Sequence, residues 1–179
     1  MSTTFADLGV SNAVAKALAK RGIESPFPVQ QLVIEDVLAG HDVLVQSPTG
    51  SGKTLAFGVP MVDRIAADAR RPASLVLAPT RELARQIVDE IYSIAHARAL
   101  RIEVVYGGVG IQPQIRNAPK AHILVATPGR LEDLLERRAV TPLRRTRPRA
   151  MRSSRRPGVA TRMCAAAAWR ACFSMPMPP

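Results

Sequence analysis

Acidic residues are missing from the last part of the chain. Residues 137–179 contain no Asp, Glu, Lys, His, Asn or Gln, whereas residues 1–136 contain all 14 acidic residues of the sequence. The same first segment contains 14 of the 25 Lys and Arg residues and is neutral, so the 11 arginines after Glu136 account for the net charge of +11. Strong positive charge often indicates nucleic-acid binding, but here that inference applies only to residues 137–179.

Cysteine is absent from the neutral part of the chain, and long apolar runs are absent throughout. Cys164 and Cys172 lie in the basic segment, at a spacing that matches neither a CxxC redox pair nor a zinc knuckle. No apolar run approaches the roughly 20 residues of a membrane helix. The amino terminus has no basic region followed by an apolar stretch, so no signal peptide is predicted. We expect a soluble, monomeric, cytoplasmic protein of about one domain that does not contact membranes.

Predicted strands and helices alternate over the first 140 residues. Four nearly continuous apolar runs suit buried strands, at residues 42–46, 74–79, 101–108 and 122–127. Helical patterns separate them, and Ser11 and Thr80 are predicted N-caps. This alternation predicts an α/β fold with a parallel sheet covered by helices on both faces. Four strands are few for such a core, so we expect an incomplete sheet.

A glycine-containing loop lies between the first predicted strand and a helix. Its sequence, SPTGSGKT, has the spacing and the context of a phosphate-binding P-loop. Gly50 and Gly52 let consecutive amides point at one anion, and the helix N-terminus adds positive potential. Lys53 can reach the β- and γ-phosphates, and the Thr54 hydroxyl can ligate magnesium. The predicted nucleotide-binding residues of this loop are Ser47, Pro48, Thr49, Gly50, Ser51, Gly52, Lys53 and Thr54.

The alternative for this loop is a Gly/Ser turn that happens to precede a helix, and the flanking strand and helix disfavour it. Phosphate binding alone does not define a function, since kinases, transporters, GTPases and helicases share the P-loop. The neighbouring motifs must therefore decide between these classes.

Six short blocks follow one another in a specific order. They are FADLGV, GIESPFPVQ, SPTGSGKT, PTRELA, the pair Gly107-Gly108 and TPGR. With these blocks the chain resembles the first RecA-like domain of a DEAD-box ATP-dependent RNA helicase, from residue 5 to about residue 140. PTRELA followed by TPGR is highly specific and leaves little room for a kinase or a transporter. The resemblance implies a partial RecA-like ATP-binding domain over residues 1–140, with ATP and Mg²⁺ as cofactors and RNA as partner.

The resemblance also implies two contacts to adenine. Gln30 would hydrogen-bond the adenine edge, since a carboxamide offers one donor and one acceptor, and Phe5 would stack on the base. The alternatives are a solvated helix residue for Gln30 and a hydrophobic contact beneath the first helix for Phe5. Ile23 stands where the family usually has an aromatic residue, and Phe27 where it usually has Thr or Ser. These departures bear on the details of the adenine contact.

An RNA-backbone track is implied by the later motifs. Its residues would be Arg81, Gly108, Thr127 and Arg130. Arg81 and Thr127 lie near predicted helix N-termini, where phosphate oxygens are favoured. Contacts of this kind position a protein on the backbone without reading sequence. The alternative role for Thr127 is helix capping, and for Arg130 it is an ion pair with Glu82 or Asp133.

The acidic motif of the family is not found in this sequence. An Asp-Glu-Ala-Asp segment that holds magnesium and activates the attacking water should follow TPGRLEDLLERRAVT, yet no acid follows Glu136. The family's next motif and its second RecA-like domain are not recognised either. We therefore predict no catalytic residue, and expect ATP to bind without being cleaved at a useful rate. The missing strands would also leave the P-loop strand unpaired, at roughly 1–3 kcal/mol per buried backbone group.

The segment of residues 141–179 admits four interpretations. It is a disordered Arg/Pro/Ala-rich tail, a nucleic-acid-binding arm, a membrane-surface segment or an out-of-frame translation. We favour the last, since Arg, Pro, Ala and Gly have codons rich in G and C. A frameshift near Val140 predicts an Asp-Glu-Ala-Asp-like segment in another frame of the gene.

The sequence thus predicts an N-terminal, truncated piece of a DEAD-box helicase that binds ATP and RNA. Two alternatives stay open. One is a non-hydrolysing nucleotide- and RNA-binding module, and the other is a basic RNA-binding protein that acts through its tail.

Overall fold

The computed structural model describes residues 3–141 and 170–172. The helices are α1 (Asn12–Ala19), α2 (Pro28–Leu38), α3 (Lys53–Arg64), α4 (Arg81–Ala97), α5 (Ile111–Asn117) and α6 (Pro128–Glu136), with a 3-10 turn at Ala118–Lys120. The strands are β1 (Ser74–Leu77), β2 (Ile102–Val105), β3 (Ile123–Ala126) and β4 (Arg170–Cys172). No helix within the described residues is both long and apolar enough to cross a membrane. The predicted α/β class is confirmed.

All strand pairs in the sheet are parallel. The order is β2-β3-β1-β4, and Leu77 of β1 and Val105 of β2 both pair with Ala126 of β3. Three strands therefore end level with one another at their carboxyl ends. Because the chain leaves each strand at this edge, the loops after β1, β2 and β3 lie side by side.

β4 is the described part of the segment for which the sequence predicts a disordered tail. Its backbone pairs in parallel with residues 75–77 of β1. Residues 142–169 and 173–179 lie outside the described residues, as does the prediction made for them.

Helices cover both faces of the sheet, as predicted. On β3, Ile123 and Val125 pack into one apolar cluster, whereas Leu124 and Ala126 pack into another. The first cluster contains residues of α1, α3 and α4, and the second contains Leu134 of α6. All four β3 residues are fully buried, which explains why the sequence of this strand is apolar without alternation.

The predicted strand at residues 42–46 is wrong. Residues 41–48 form no regular structure, and Val43 and Leu44 are 38% and 51% exposed. Strand geometry depends on hydrogen bonds to a neighbouring strand, and no described strand pairs with this segment. Within the described residues, the segment that leads into the P-loop therefore has no strand to pair with.

The predicted caps differ in their outcome. The Thr80 hydroxyl accepts a hydrogen bond from the Leu83 amide at 3.2 Å, so this N-cap is confirmed. Ser11 precedes α1 with extended backbone, but its side chain makes no capping bond. Instead, the Ser11 amide and hydroxyl both donate to the Asp63 carboxylate, the amide at 2.8 Å. Ser11 thus ties the start of α1 to the end of α3.

A close helix crossing depends on Gly58 in the middle of α3. A Cβ at this position would lie 2.5 Å from Cγ2 of Ile91 in α4. Helix propensity alone would favour Gly58→Ala by about 1 kcal/mol, but overpacking typically costs about 1–3 kcal/mol. We therefore expect Gly58→Ala to lower the free energy of unfolding, measured by circular dichroism in urea. Gly129→Ala in α6 is the matched control, because its Cβ meets nothing within 4 Å, and equal effects of the two variants would contradict the clash.

Candidate functional site

The P-loop takes the left-handed backbone conformations for which its glycines are suited. Gly50 has a φ of +79° and Gly52 a φ of +83°, and Gly52 directly precedes Lys53, the first residue of α3. Residues with a Cβ rarely adopt such φ angles. The glycine spacing noted in the sequence therefore corresponds to a curled loop at a helix N-terminus.

Lys53 closes this loop on itself. Its Nζ donates to the carbonyl oxygens of Ser47 and Pro48, both at 2.5 Å, and the Ser51 hydroxyl donates to the Pro48 carbonyl at 2.8 Å. Among the described residues, no carboxylate forms an ion pair with Lys53. The ammonium is thus held by neutral carbonyls, and a phosphate oxygen is a stronger acceptor than either of them.

Gln30 joins the start of α2 to the P-loop. It is 1% exposed, so the solvated alternative is excluded. Its Oε1 accepts from the Phe27 amide at 2.9 Å, and its Nε2 donates to the Gly52 carbonyl at 3.0 Å. Both ends of the carboxamide are already bonded within the protein, and an adenine would have to replace these partners.

The fit around Gly52 is tight. A Cβ on this residue would lie 2.5 Å from Gln30 Nε2 and 2.7 Å from Cδ2 of Phe27. A side chain at position 52 would therefore fill the space in which α2 meets the loop. Only glycine is compatible with both this approach and the positive φ.

Phe5 lies in the apolar core. Its side chain is 2% exposed and belongs to the cluster that includes Val14 and Leu18 of α1. This location agrees with the alternative of a hydrophobic contact beneath the first helix. The ring is covered on all sides in this arrangement, so stacking on a base would require it to leave the core.

The predicted magnesium ligand, Thr54, is the second residue of α3 and is half-buried. Within the described part of the chain, no group of three or more His, Cys, Asp or Glu residues could hold a metal ion. Magnesium in nucleotide sites is typically held by one or two carboxylates together with phosphates and water. The residues present fit the phosphates of a nucleotide, and a magnesium ion here would depend on those phosphates for most of its ligands.

The predicted RNA-contacting residues lie around the edge where β1, β2 and β3 end. A Cβ on Gly108, whose φ is +83°, would be 3.7 Å from Nη1 of Arg81. Thr127 follows β3, and its amide donates to the Val105 carbonyl at 3.0 Å. It occupies the N-cap position of α6 without a capping bond from its side chain. The structure thus places Arg81 at the start of α4, Gly108 in the loop after β2 and Thr127 at the N-cap of α6, all next to the carboxyl ends of neighbouring strands.

Among residues 3–141 and 170–172, the Arg81 side chain is held by one exposed ion pair. Its Nε lies 2.5 Å from Oε1 of Glu82, and the two side chains are 62% and 68% exposed. The hydrogen bond from Arg81 lowers the pKa of the Glu82 carboxyl, so the carboxylate is charged at neutral pH. Exposed pairs of this kind contribute little stability, and exchange of Glu82 for a phosphate costs correspondingly little.

Arg130 is in a different situation. Its side chain is 9% exposed, and its Nε lies 3.3 Å from Oδ2 of Asp133, the ion pair anticipated as its alternative role. Nη1 donates to Oε1 of Gln114 at 3.0 Å, and Nη1 and Nη2 donate to the Val109 carbonyl at 3.3 and 3.2 Å. The Arg130 guanidinium is therefore bound mainly by groups of the protein, namely one carboxylate, one side-chain amide and one backbone carbonyl.

Three further residues at this edge were missed by the sequence reasoning. Arg85 donates to the Tyr106 hydroxyl, from Nε at 2.8 Å, and its guanidinium carbon lies 4.9 Å from the ring centroid. Arg85 follows Arg81 by one helical turn. This i,i+4 spacing is visible in the sequence and predicts that the two side chains lie on the same face of α4. Gln114, which contacts Arg130, carries no such signal, since its role depends on the packing of α5 against the loop.

The comparisons with known proteins identify the class. The DEAD/DEAH box helicase family profile matches residues 27–147, and the chain belongs to this family. It is 41% identical over 138 residues to the ATP-dependent RNA helicase CshA of Limosilactobacillus reuteri, which covers 76% of this chain and 28% of that protein. It is 45% identical over 139 residues to the RNA helicase CrhR of Synechocystis sp., with coverage of 77% and 28%. The chain therefore spans about 28% of the length of these relatives.

A solved structure shows the same fold. The crystal structure of a DEAD box protein from the hyperthermophile Methanococcus jannaschii matches with a TM-score of 0.73 at 36% identity, over 77% of this chain and 38% of that one. The family and the RecA-like fold predicted from the sequence motifs are thus confirmed.

Proposed function

We propose that this chain is the nucleotide- and RNA-binding N-terminal part of a DEAD-box RNA helicase. It binds Mg·ATP at residues 47–54 and an RNA backbone at the edge formed by the loops after β1, β2 and β3. The observation that supports this most is the Lys53 ammonium, which is bound by two loop carbonyls at a helix N-terminus. Exchange of these carbonyls for phosphate oxygens converts the closed loop into an anion site.

Adenine recognition is assigned to Gln30. The base edge would take over the donor and the acceptor that now bond Gly52 and Phe27. Because the same carboxamide touches the P-loop, adenine binding and loop opening would be coupled. The buried position of Phe5 gives no support to stacking, and we leave that residue out of the proposed site.

RNA contact is assigned to Arg81, Gly108 and Thr127. The exposed Arg81–Glu82 pair supplies a cation that is easily released, and the glycine lets a backbone approach closely. None of these groups distinguishes between bases, so the contact would be independent of sequence. A monomeric state and a cytoplasmic location stay predictions.

We further propose that this chain does not turn over ATP at a helicase rate. Phosphoryl transfer needs carboxylates that position magnesium and water, and no acidic residue follows Glu136. We expect phosphate release from Mg·ATP by the full chain, with or without single-stranded RNA, to equal that of a Lys53→Ala preparation. Turnover on the order of 1 s⁻¹ that is lost in Lys53→Ala would contradict this part of the proposal.

The alternative of a basic RNA-binding protein is favoured by one observation, the location of the whole net charge in residues 137–179. Deletion of residues 141–179 separates the two. If the deleted chain loses all RNA affinity while keeping nucleotide binding, the tail is the RNA-binding element, and the assignment of RNA to the strand edge is wrong.

A further inference from the structure

The loop that follows β2 contains three glycines, Gly107, Gly108 and Gly110, within four residues. Glycine-rich backbone loses more conformational freedom on ordering than any other. A ligand that bound this loop in one conformation would have to order it first, unless the protein had already done so. The structure contains contacts that already order this loop without a ligand.

Gln114 and Arg130 together fix the loop at both ends. The Gln114 Nε2 donates to the Tyr106 carbonyl at 3.2 Å, immediately before the glycines. Its Oε1 accepts from Arg130 Nη1 at 3.0 Å. Arg130 in turn donates through both terminal nitrogens to the Val109 carbonyl, at 3.3 and 3.2 Å. One amide and one guanidinium thus span the residues between Tyr106 and Val109.

Arg130 is far more buried than Arg81, another arginine at the strand edge. The Arg130 side chain is 9% exposed and has Asp133 at 3.3 Å, whereas that of Arg81 is 62% exposed and has a single, exposed partner in the part of the chain that the structure describes. A phosphate bound through both terminal nitrogens of Arg130 would displace the Val109 carbonyl or the Gln114 amide oxygen from Nη1, whose two N–H groups are both in use. For Arg81, a phosphate would have to displace Glu82, its one partner among the described residues.

We propose that Gln114 and Arg130 form a clamp that positions residues 106–110 for RNA, and that Arg130 itself is not a phosphate ligand. This inference rests on the proposed RNA contact of the strand edge. It assigns a role to Gln114, a residue outside the sequence motifs, and reassigns Arg130 from direct contact to positioning.

The first test measures the loop in the free chain, without RNA. ¹⁵N relaxation of Gly107, Gly108 and Gly110 should give order parameters near 0.85 in the wild type and below about 0.6 in Gln114→Ala and Arg130→Ala. Gln112→Ala is the matched control on the same helix, where Gln112 is exposed. If Gln114→Ala changes the far-UV circular dichroism, Gln114→Leu, which keeps the volume, replaces it. Order parameters unchanged in both clamp variants overturn the proposal.

The second test measures affinity for a fluorescent single-stranded RNA against salt concentration. A lost phosphate contact reduces the slope of log K against log salt by about 0.7 for single strands. We expect that reduction for Arg81→Ala. For Gln114→Ala and Arg130→Ala we expect an affinity about 2- to 10-fold lower, as for a lost hydrogen bond, with the slope unchanged.

The outcomes distinguish a failure of the clamp from a failure of the proposed RNA contact at the strand edge. A slope reduced by Arg130→Ala as much as by Arg81→Ala makes Arg130 a phosphate ligand and overturns the clamp. If neither arginine changes the affinity or the slope, the RNA contact of the strand edge fails, whereas the relaxation data still decide whether Gln114 and Arg130 hold the loop.

Discussion

Lys53→Ala is expected to abolish the stabilisation of this chain by Mg·ATP. Binding to the native state alone adds about 2.7 kcal/mol to the free energy of unfolding at a ligand concentration of 100 times Kd. In the wild type, phosphate oxygens would replace the Ser47 and Pro48 carbonyls on the ammonium. Alanine removes the charge that makes this exchange favourable. The measurement is the thermal unfolding midpoint with and without Mg·ATP, by circular dichroism.

The comparison must be made within each variant, because Lys53→Ala also removes two hydrogen bonds of the free loop. Lys20→Ala is the matched control, since Lys20 is exposed at the end of α1. It should keep the full shift of the midpoint on addition of Mg·ATP. A shift of equal size in Lys53→Ala would place the nucleotide elsewhere on the protein.

Gly52→Ala should be the most damaging of the glycine substitutions in the loop. It places a Cβ 2.5 Å from Gln30 Nε2 at a φ of +83°. We estimate about 1–2 kcal/mol for the backbone strain and about 1–3 kcal/mol for the clash. Against a total stability of about 5–15 kcal/mol, this is a large loss. Urea unfolding should show it as a lower midpoint, and Mg·ATP should no longer stabilise the variant.

Gly50→Ala separates the cost of backbone strain from the cost of the steric clash. Gly50 has nearly the same φ, +79°, but a Cβ there meets nothing within 4 Å. This control should show the strain without the clash, and therefore a smaller loss of stability than Gly52→Ala. Equal losses would mean that the contact between α2 and the P-loop has no energetic weight.

The strands that the local sequence pattern predicted correctly are those whose neighbouring strands also lie within the described residues. Residues 122–127 are apolar without alternation, and they form a central strand with neighbours on both sides. Residues 42–46 have the same kind of pattern, yet they form no strand. A strand is stabilised by its neighbours as well as by its own sequence, and no local pattern reveals whether those neighbours are present.

The sequence motifs predicted which residues gather at the candidate site, but they did not predict the contacts that these residues make with one another. The glycines of the P-loop predicted a curled backbone, which Gly50 and Gly52 adopt. The burial of Gln30 and the engagement of Arg130 by Gln114 were not predictable, because they depend on how separate loops pack. A motif indicates which residues gather at an edge, whereas packing decides which of them are available to a ligand.

The central claim is that residues 47–54 hold an adenine nucleotide, and calorimetric titration of the full chain with Mg·ATP tests it most directly. The predicted result is saturable heat with one nucleotide bound per chain, absent in Lys53→Ala and retained in Lys20→Ala. No heat of binding in wild-type protein whose circular dichroism shows it to be folded would contradict the account.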